Sequence, residues 1–149
     1  MMLSLSRKTI LALEAVIDVA MHARPDPVQA RDITERQNVP QRYLEQVMQA
    51  LVRADILRGV RGPRGGYRLA RERRRISAGE IVRVIAEMDS DEENTAPNGI
   101  GAGATAAICG ELETELMSRL DNISIAELCD RQDHSPTQSG AKTTMDFTI

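Results

Sequence analysis

The feature that most constrains the fold is the stretch VRGPRGGYRL at residues 60–69. It holds three glycines, one proline and three arginines. It joins two short extended runs, at 56–60 and 66–70, through a glycine-rich tip at 61–65, which predicts a β-hairpin. A turn explains the glycines but does not require the arginines. The arginines therefore point to a partner as well as to a fold.

Two helical segments precede this hairpin. ARDITERQ at 30–37 and QRYLEQVMQALVRADIL at 41–57 are separated by the helix-breaking NVP at 38–40. The second segment has an apolar side, made of Leu44, Val47, Met48, Leu51 and Ile56, and a polar side, made of Gln41, Arg42, Glu45, Gln46 and Gln49. This pattern predicts a helix-turn-helix whose second helix reads DNA bases, although two core helices in a tight hairpin would share it.

The order of these segments is more specific than any one of them. A helix-turn-helix followed at once by a basic hairpin is the order of a winged helix-turn-helix domain. Aromatic residues make up 2% of the chain and Trp is absent, which predicts an aliphatic core of the kind that packed helices form. We therefore expect a mainly α fold with a small β-hairpin wing and a C-terminal dimerisation helix.

Local signals predict two further helices beside the helix-turn-helix. Ser6 is placed to cap a first helix that runs to about His22. The apolar stripe of this helix is predicted to be Ile10, Leu13, Val16, Ile17 and Ala20. Ser77 and Glu80 have the spacing of a capping box and predict the start of a helix after the wing.

The chain is predicted to divide into four regions. Residues 1–88 form the winged helix-turn-helix domain, and residues 89–108, which are acidic and then rich in Gly and Ala, form a flexible loop of the sensing type. Residues 109–132 form a dimerisation helix and a short closing helix. Residues 133–149 are polar and rich in turn-forming residues, which predicts a disordered tail.

Charge is distributed unevenly along the chain. Residues 1–86 hold 16 Lys and Arg against 9 Asp and Glu, whereas residues 87–149 hold 3 against 13, for a net charge of −3 overall. Within residues 53–75 there are nine arginines against Asp55 and Glu72. A run made wholly of Arg beside a glycine-rich turn favours contact with phosphates over a merely solvated face.

A stripe of apolar residues marks the predicted dimerisation helix. Leu112, Leu116, Leu120 and Ile123 follow one another at intervals of three or four residues. The stripe either packs on its own domain or pairs with the same helix of a second chain. Pairing is favoured because a reader of DNA half-sites gains from two-fold symmetry.

Three blocks together resemble a known family. DITERQNVPQRYLEQVMQAL, VRGPRGGYRL and ISAGEIVRVI are similar to the IscR/Rrf-type winged-helix transcription regulators, closely over residues 3–87 and again in LDNISIAEL at 120–128. The resemblance is nearest to the iron–sulfur cluster regulators. It implies a homodimer that binds a double-stranded DNA operator and represses or activates transcription, with repression expected.

The resemblance also implies which residues contact DNA. The second helix would enter the major groove, where Glu45 and Gln46 occupy base-contacting positions, with Arg42 and Tyr43 beside them. Arg61 would enter the minor groove, whose negative potential favours a guanidinium. The remaining implied contacts, to phosphates or through close backbone approach, are Ser6, Arg7, Lys8, Gly62, Arg64, Gly65, Gly66 and Arg68.

The cysteines depart from the pattern of the cluster-binding members. Those proteins carry three closely spaced cysteines in the loop before the dimer helix, but here residues 90–107 have none, and the chain holds only Cys109 and Cys129. An ordinary iron–sulfur cluster is therefore not expected. An atypical one would use Cys109 with ligands such as His22, Glu111 or Glu113 from either subunit. Otherwise Cys109 is a small residue at a helix start, and the signal is a small molecule or a partner protein.

Other classes of protein fit the sequence less well. A winged-helix adaptor that binds proteins instead of DNA would not need the basic wing. No nucleophile motif and no phosphate-binding glycine loop before a helix is present, and so no enzyme is expected. No long apolar stretch predicts a membrane span, and two cysteines without a disulfide framework predict a cytoplasmic protein.

Overall fold

The computed structural model describes residues 5–23, 26–89 and 98–135. These residues form six α-helices, one antiparallel hairpin and one 3-10 turn. In chain order the elements are α1 (Arg7–His22), α2 (Ala30–Gln37), α3 (Gln41–Arg53), β1 (Leu57–Val60), β2 (Gly66–Leu69), the 3-10 turn (Arg73–Arg75), α4 (Ala78–Asp89), α5 (Ala102–Asp121) and α6 (Ile125–His134). The order confirms the mainly α, winged helix-turn-helix prediction.

Helix α1 begins where the sequence predicts but turns a different face to the core. The Ser6 side chain accepts a hydrogen bond from the Thr9 backbone N–H at 3.2 Å, which caps the helix. The predicted apolar stripe is wrong in part, because Ile10 is 42% exposed. The face that α1 buries consists of Leu11, Ala12, Ala15, Val16 and Val19. Apolar residues surround much of this helix, and the small side chains of Ala12 and Ala15 let the neighbouring helices approach on that side.

Helix α2 has the predicted bounds, but α3 ends at Arg53, four residues before the predicted end at 57, because Asp55 adopts the left-handed conformation (φ 60°) and Leu57 begins β1. Helix α2 ends at Gln37, and Asn38 adopts the left-handed conformation (φ 53°), which a short polar residue tolerates. A partly buried ion pair joins α2 to α1: the Arg36 guanidinium donates two hydrogen bonds to the buried Asp18 carboxylate, at 2.8 and 2.6 Å. The residues predicted to form the apolar side of α3, including Leu44 and Met48, are fully buried.

The core is aliphatic, as the composition predicts. Its largest fully buried side chains are Ile33, Leu44, Met48, Leu51, Ile56, Leu57, Ile76, Ile81, Ile85 and Ile125. Burying one such side chain contributes about 1.5–3 kcal/mol relative to leaving it in water. Together with Val16 and Val19 of α1, these residues come from elements on both sides of the hairpin, so a single core holds α1, α3, α4 and α6 together.

The wing is an antiparallel hairpin attached to the body by a third short segment. Strand β1 pairs with β2 so that Leu57 faces Leu69 and Val60 faces Gly66. Val28, in the connection between α1 and α2, exchanges two backbone hydrogen bonds with Tyr67, at 3.0 and 2.7 Å. The hairpin is therefore bonded to the domain at Tyr67 on β2 as well as at its base.

Helix α4 starts at the predicted capping box. The Ser77 backbone N–H donates to the Glu80 carboxylate at 2.9 Å, and the Glu80 N–H donates to the Ser77 hydroxyl at 3.2 Å. This reciprocal pair satisfies two amides that the first helical turn cannot satisfy internally.

Helix α5 begins at Ala102 instead of Cys109, which corrects the predicted loop boundary. Residues 102–107 include four alanines, the strongest helix former, and their propensity outweighs the cost of Gly103. Cys109 consequently lies inside the helix and not at its start. Helix α6 continues to His134, just past the predicted end at 132. The rest of the predicted loop (90–97) and of the predicted tail (136–149) lies outside the described residues.

Helix α5 meets the domain at its C-terminal end. Among its 20 residues, Leu120 is the buried one. Arg83 of α4 donates two hydrogen bonds to the Asp121 carboxylate, at 2.6 and 2.7 Å. Gly79 makes this approach feasible, because a Cβ at that position would overlap the Asp121 side chain. The first four turns of α5 are exposed to solvent.

Candidate DNA-binding surface

The exposed face of α3 consists of the polar residues that the sequence predicted there, including the predicted base readers Glu45 and Gln46. Gln41, Arg42, Gln46 and Gln49 are exposed, and Glu45 is half-buried. Tyr43 is also half-buried and turns toward α1, where it lines a groove with Ile10 and Val39. The polar side chains therefore form one continuous surface, whereas Tyr43 belongs to its edge.

The Glu45 carboxylate lies between a helical neighbour and the wing. The Gln41 side-chain amide donates a hydrogen bond to Glu45 Oε1 at 2.8 Å. Burial raises the pKa of the Tyr67 phenol, and the negative charge of Glu45 raises it further. The negative charge of Glu45 on α3 thus acts on the return strand of the wing. Gln41 was not among the predicted contact residues, although its spacing of four from Glu45 was visible in the sequence.

The tip of the wing exposes two arginines and depends on glycine. Arg61 and Arg64 are exposed, and Arg68 is half-buried on β2 opposite Arg58. Gly62 has a φ of +112°, which favours glycine. A Cβ on Gly66 would overlap the Val28 carbonyl oxygen, so this glycine serves the attachment of the wing to the body. The predicted wing contacts at 61–65 therefore share one loop, of which Arg61 and Arg64 form the charged part, whereas Gly66 and Arg68 lie on β2.

The N-terminal turn of α1 borders the same surface. Arg7 lines the groove that also contains Asn38, Pro40 and Tyr43, which places the start of α1 beside the start of α3. Ser6 is engaged as the helix cap. Lys8 forms an ion pair with Asp89 at the end of α4, with 2.7 Å between Nζ and Oδ1. Of the three predicted phosphate contacts, Arg7 is exposed with its side chain toward this groove.

The arginines of the run at 53–75 do not all have the same surroundings. The interpretation of the whole run as a phosphate-binding surface is wrong for Arg71, which holds the base of the hairpin. Its guanidinium donates to the backbone oxygens of Asp55 (3.1 Å) and Arg75 (3.0 Å) and to Glu80 Oε1 (2.9 Å). Burial by itself raises the pKa of Glu80, but hydrogen bonds from Ser77 and Arg71 outweigh it, and the pKa is lowered.

The two cysteines differ in their exposure to solvent. Cys109 is exposed on α5, whereas Cys129 is buried in α6. Burial raises the pKa of the Cys129 thiol, and a hydrogen bond with Arg73 opposes this rise. A buried thiol of raised pKa is a poor source of the thiolate that iron requires.

The other nominal ligands do not complete a metal site. His22 Nδ1 is 2.9 Å from the Asp18 backbone oxygen at the end of α1, and Glu111 and Glu113 are exposed on α5. Within residues 5–23, 26–89 and 98–135, no three side chains of the metal-binding types come together. The side chains described for one chain therefore do not fit an iron–sulfur cluster.

Half of the predicted dimer stripe lies on an open surface. Leu112 and Leu116 are each 44% exposed, and Ile108 beside them is 57% exposed. Leu120 is buried against its own domain. Ile123 follows the end of α5, and its carbonyl oxygen accepts a hydrogen bond from the Ala78 N–H at 2.8 Å. The exposed apolar face of α5 therefore consists of Ile108, Leu112 and Leu116, the first of which was not predicted.

The helix-turn-helix, its basic wing and the exposed polar face of α3 define a winged helix-turn-helix protein of the DNA-binding class. The model of the Rrf2 family, described as an iron-dependent transcriptional regulator, matches residues 5–131. The chain belongs to the Rrf2 family of transcriptional regulators. This confirms the resemblance drawn from the sequence, and the family is one of regulators and not of enzymes.

Individual relatives agree with this assignment. The chain is 39% identical to the HTH-type transcriptional regulator IscR of Vibrio cholerae over 130 residues, covering 83% of this chain and 73% of the relative. It is 33% identical to IscR of Yersinia enterocolitica over 132 residues, covering 87% and 80%.

Solved structures show the same fold. T. potens IscR superposes with a TM-score of 0.72 at 30% identity, covering 95% of this chain and 96% of that one. CymR, the global cysteine regulator of B. subtilis, superposes with a TM-score of 0.68 at 26% identity, covering 87% and 98%. Among the described residues, no helix combines the length and apolar character needed to cross a membrane.

Proposed function

We propose that this chain is a sequence-specific DNA-binding regulator in which α3 reads the major groove while Arg61 on the wing enters the adjacent minor groove. The observation that carries the proposal is that the exposed polar face of α3 and the exposed tip of the wing belong to one packed unit, since β1 follows α3 after three residues and the Ile56 N–H donates to the Leu51 carbonyl oxygen at 3.0 Å. The exposed guanidinium of Arg61 is suited to a narrow minor groove, where negative potential is concentrated.

Selection of bound fragments from a random DNA pool tests this function. We expect one operator to be enriched, with affinity that falls as salt rises, at a slope in log–log form of about −0.9 per phosphate neutralised. Salt-independent binding without a selected sequence would favour the winged-helix adaptor instead. The selected operator would also identify the regulated genes.

The functional unit in this proposal is a homodimer joined through α5. The helix is 20 residues long, about 30 Å, and Ile108, Leu112 and Leu116 are exposed along it. A single helix in water is marginally stable, and apolar side chains at this spacing gain by packing on a partner helix. Light scattering coupled to gel filtration is expected to give twice the chain mass of 16.4 kDa.

We further propose that the regulator is cytoplasmic, represses its targets and works without an ordinary iron–sulfur cluster. A dimer bound across a promoter excludes other proteins from it, and a reporter gene behind the selected operator is expected to be less active when the chain is expressed. The cysteine content and the burial of Cys129 support a signal that is a small molecule or a partner protein.

The alternative is a cluster held by Cys109 with ligands from both subunits. Protein purified without oxygen decides between the two. A colourless, iron-free dimer is the expected result, and stoichiometric iron with visible absorbance that Cys109→Ser removes would establish the alternative.

A further inference from the structure

We propose that Gln41 is a positioning residue for Glu45 and sharpens the preference of this regulator for a base that carries an exocyclic amine. The inference rests on the proposed reading of the major groove by α3. It adds a specificity-determining residue, and it names the chemistry of the base that the pair selects.

The first step is the position of Gln41 on the helix. It is the first residue of α3 and is exposed, and its side-chain Nε2 donates to Glu45 Oε1 at 2.8 Å. Helix α3 has Pro40 as its N-cap and no capping hydrogen bond from a side chain. The Gln41 amide is therefore not used to start the helix. Its one described side-chain hydrogen bond is directed along the exposed face to the carboxylate one turn further on.

The second step is the restriction of Glu45. A glutamate on an exposed helix face normally samples many rotamers, and ordering it on binding has an entropic cost. Here the carboxylate accepts a hydrogen bond from Gln41, and its charge also acts on the Tyr67 phenol. The acceptor atoms are thus ordered before DNA arrives, which makes their geometry selective.

The third step is the chemistry of the groove. An ionised carboxylate can only accept hydrogen bonds. In the major groove, cytosine presents the N4 amine and adenine the N6 amine as donors, whereas the guanine O6 and the thymine O4 are acceptors that repel a carboxylate. A Glu45 held in one place therefore favours cytosine or adenine at the base that it faces. A mobile Glu45 would turn away from guanine or thymine and discriminate less.

The test uses the selected operator and a panel with all four base pairs at each position. Glu45→Ala first identifies the base pair at which preference is relaxed. Gln41→Leu keeps the approximate size and helix propensity of the residue but removes the donor. We expect Gln41→Leu to reduce discrimination at that same base pair by about 3- to 10-fold, with affinity for random DNA unchanged.

Two further variants separate positioning from general effects. Gln41→Lys restores a donor to Glu45 and is expected to recover the ratio between the preferred and the disfavoured base pair, even though its charge raises affinity for all DNA. Gln49→Leu makes the same change two turns along the same exposed face and is expected to leave that ratio unchanged. Circular dichroism melts verify that each variant is folded.

The outcomes distinguish the inference from the proposed function. If the parent protein selects no sequence, the proposed function fails. If it selects an operator but Gln41→Leu leaves discrimination at the Glu45 base pair intact, Gln41 positions nothing and the inference is overturned. A loss at a different base pair, or a further loss at the same pair when Gln41→Leu is added to Glu45→Ala, would make Gln41 a base reader and would also overturn it.

Discussion

At the scale of single residues, the arginines of this chain have to be judged by their partners and not by their number. Arg71 and Arg36 are committed to contacts within the domain, to Glu80 and Asp18 respectively. Arg61 and Arg64 are exposed on the wing, beyond the paired strands. Within the run from 53 to 75, Arg71 is therefore committed to the domain, whereas Arg61 and Arg64 place exposed charge at the tip of the hairpin.

Arg61 gives the most direct residue-level prediction. Arg61→Ala is expected to weaken operator binding by about 1–3 kcal/mol, because it removes a guanidinium from the minor groove. Fluorescence anisotropy with labelled operator at fixed salt measures the effect. Arg74→Ala is the matched control, since Arg74 is exposed but lies in the 3-10 turn past the end of β2. Equal affinities for the Arg61 and Arg74 variants would contradict the minor-groove role.

The buried carboxylate gives a second prediction at this scale. Asp18 is 6% exposed, and Arg36 donates two hydrogen bonds to it. Asp18→Asn removes the charge and one acceptor, and is expected to lower the free energy of unfolding by about 1–3 kcal/mol. Urea denaturation provides the measurement. Glu35→Gln is the control, because its ion pair with Arg31 is exposed and such pairs contribute little.

At the scale of elements, the joint between the wing and α4 depends on one glutamate. Glu80 caps α4 through Ser77 and anchors the wing through Arg71. Its pKa is lowered in the folded state, so its ionised form binds these partners more strongly than its protonated form does. Stability from this group is fully present above the ordinary pKa of 4.5 and is lost as pH falls through the lowered value.

A pH series tests this joint. The difference in free energy of unfolding between the parent protein and Glu80→Gln is expected to be largest at neutral pH and to shrink as the solution becomes acidic. Glu72→Gln changes an exposed glutamate nearby and is expected to show no such dependence. A Glu80 difference that stays constant from neutral to acidic pH would rule out the lowered pKa as its cause.

Elements whose signals are local were predictable, and those whose position depends on distant partners were not. The bounds of α2 follow from the break at 38–40, and the start of α4 follows from Ser77 and Glu80. Helix α5 was predicted too short because glycines concealed the helix propensity of the alanines between them. The core face of α1 could not be chosen, since several of its faces are apolar and tertiary packing selects one.

Ion pairs across the fold escaped prediction altogether. Lys8 and Asp89 are 81 residues apart, and Arg83 and Asp121 are 38 apart. Spacing along a helix reveals a pair such as Gln41 and Glu45, but it says nothing about elements that meet only after folding. The sequence therefore predicted that Lys8 contacts phosphate without revealing that Lys8 forms an ion pair with Asp89 of α4.

At the scale of the whole molecule, the proposed dimer predicts what happens when charged residues are placed on the exposed apolar face of α5. The double change Leu112→Glu and Leu116→Glu is expected to convert the dimer to a monomer, because two carboxylates on each helix would have to be buried in apolar surroundings. We expect operator affinity to fall as well, because a monomer would bind one half-site whereas the dimer binds both. Light scattering and anisotropy measure the two effects.

A control on the same helix keeps this prediction specific. Ser118→Glu adds a carboxylate on another side of α5, where Ser118 lines a groove with Arg83, Met117 and Asp121. It is expected to leave the dimer intact. A dimer that persists in the double variant, with the fold preserved, would show that the subunits associate elsewhere.

The pairing of Tyr67 on the wing with Val28 also gives the chain an intrinsic fluorescent probe. The chain has no Trp and two tyrosines, Tyr43 and Tyr67, both within the domain that is proposed to bind DNA. Tyr43 lies at the edge of the polar face of α3, and Tyr67 lies on β2, where it pairs with Val28. Intrinsic tyrosine fluorescence would therefore report on this surface without an attached dye, and replacing either tyrosine by Phe would assign the signal to the helix or to the wing.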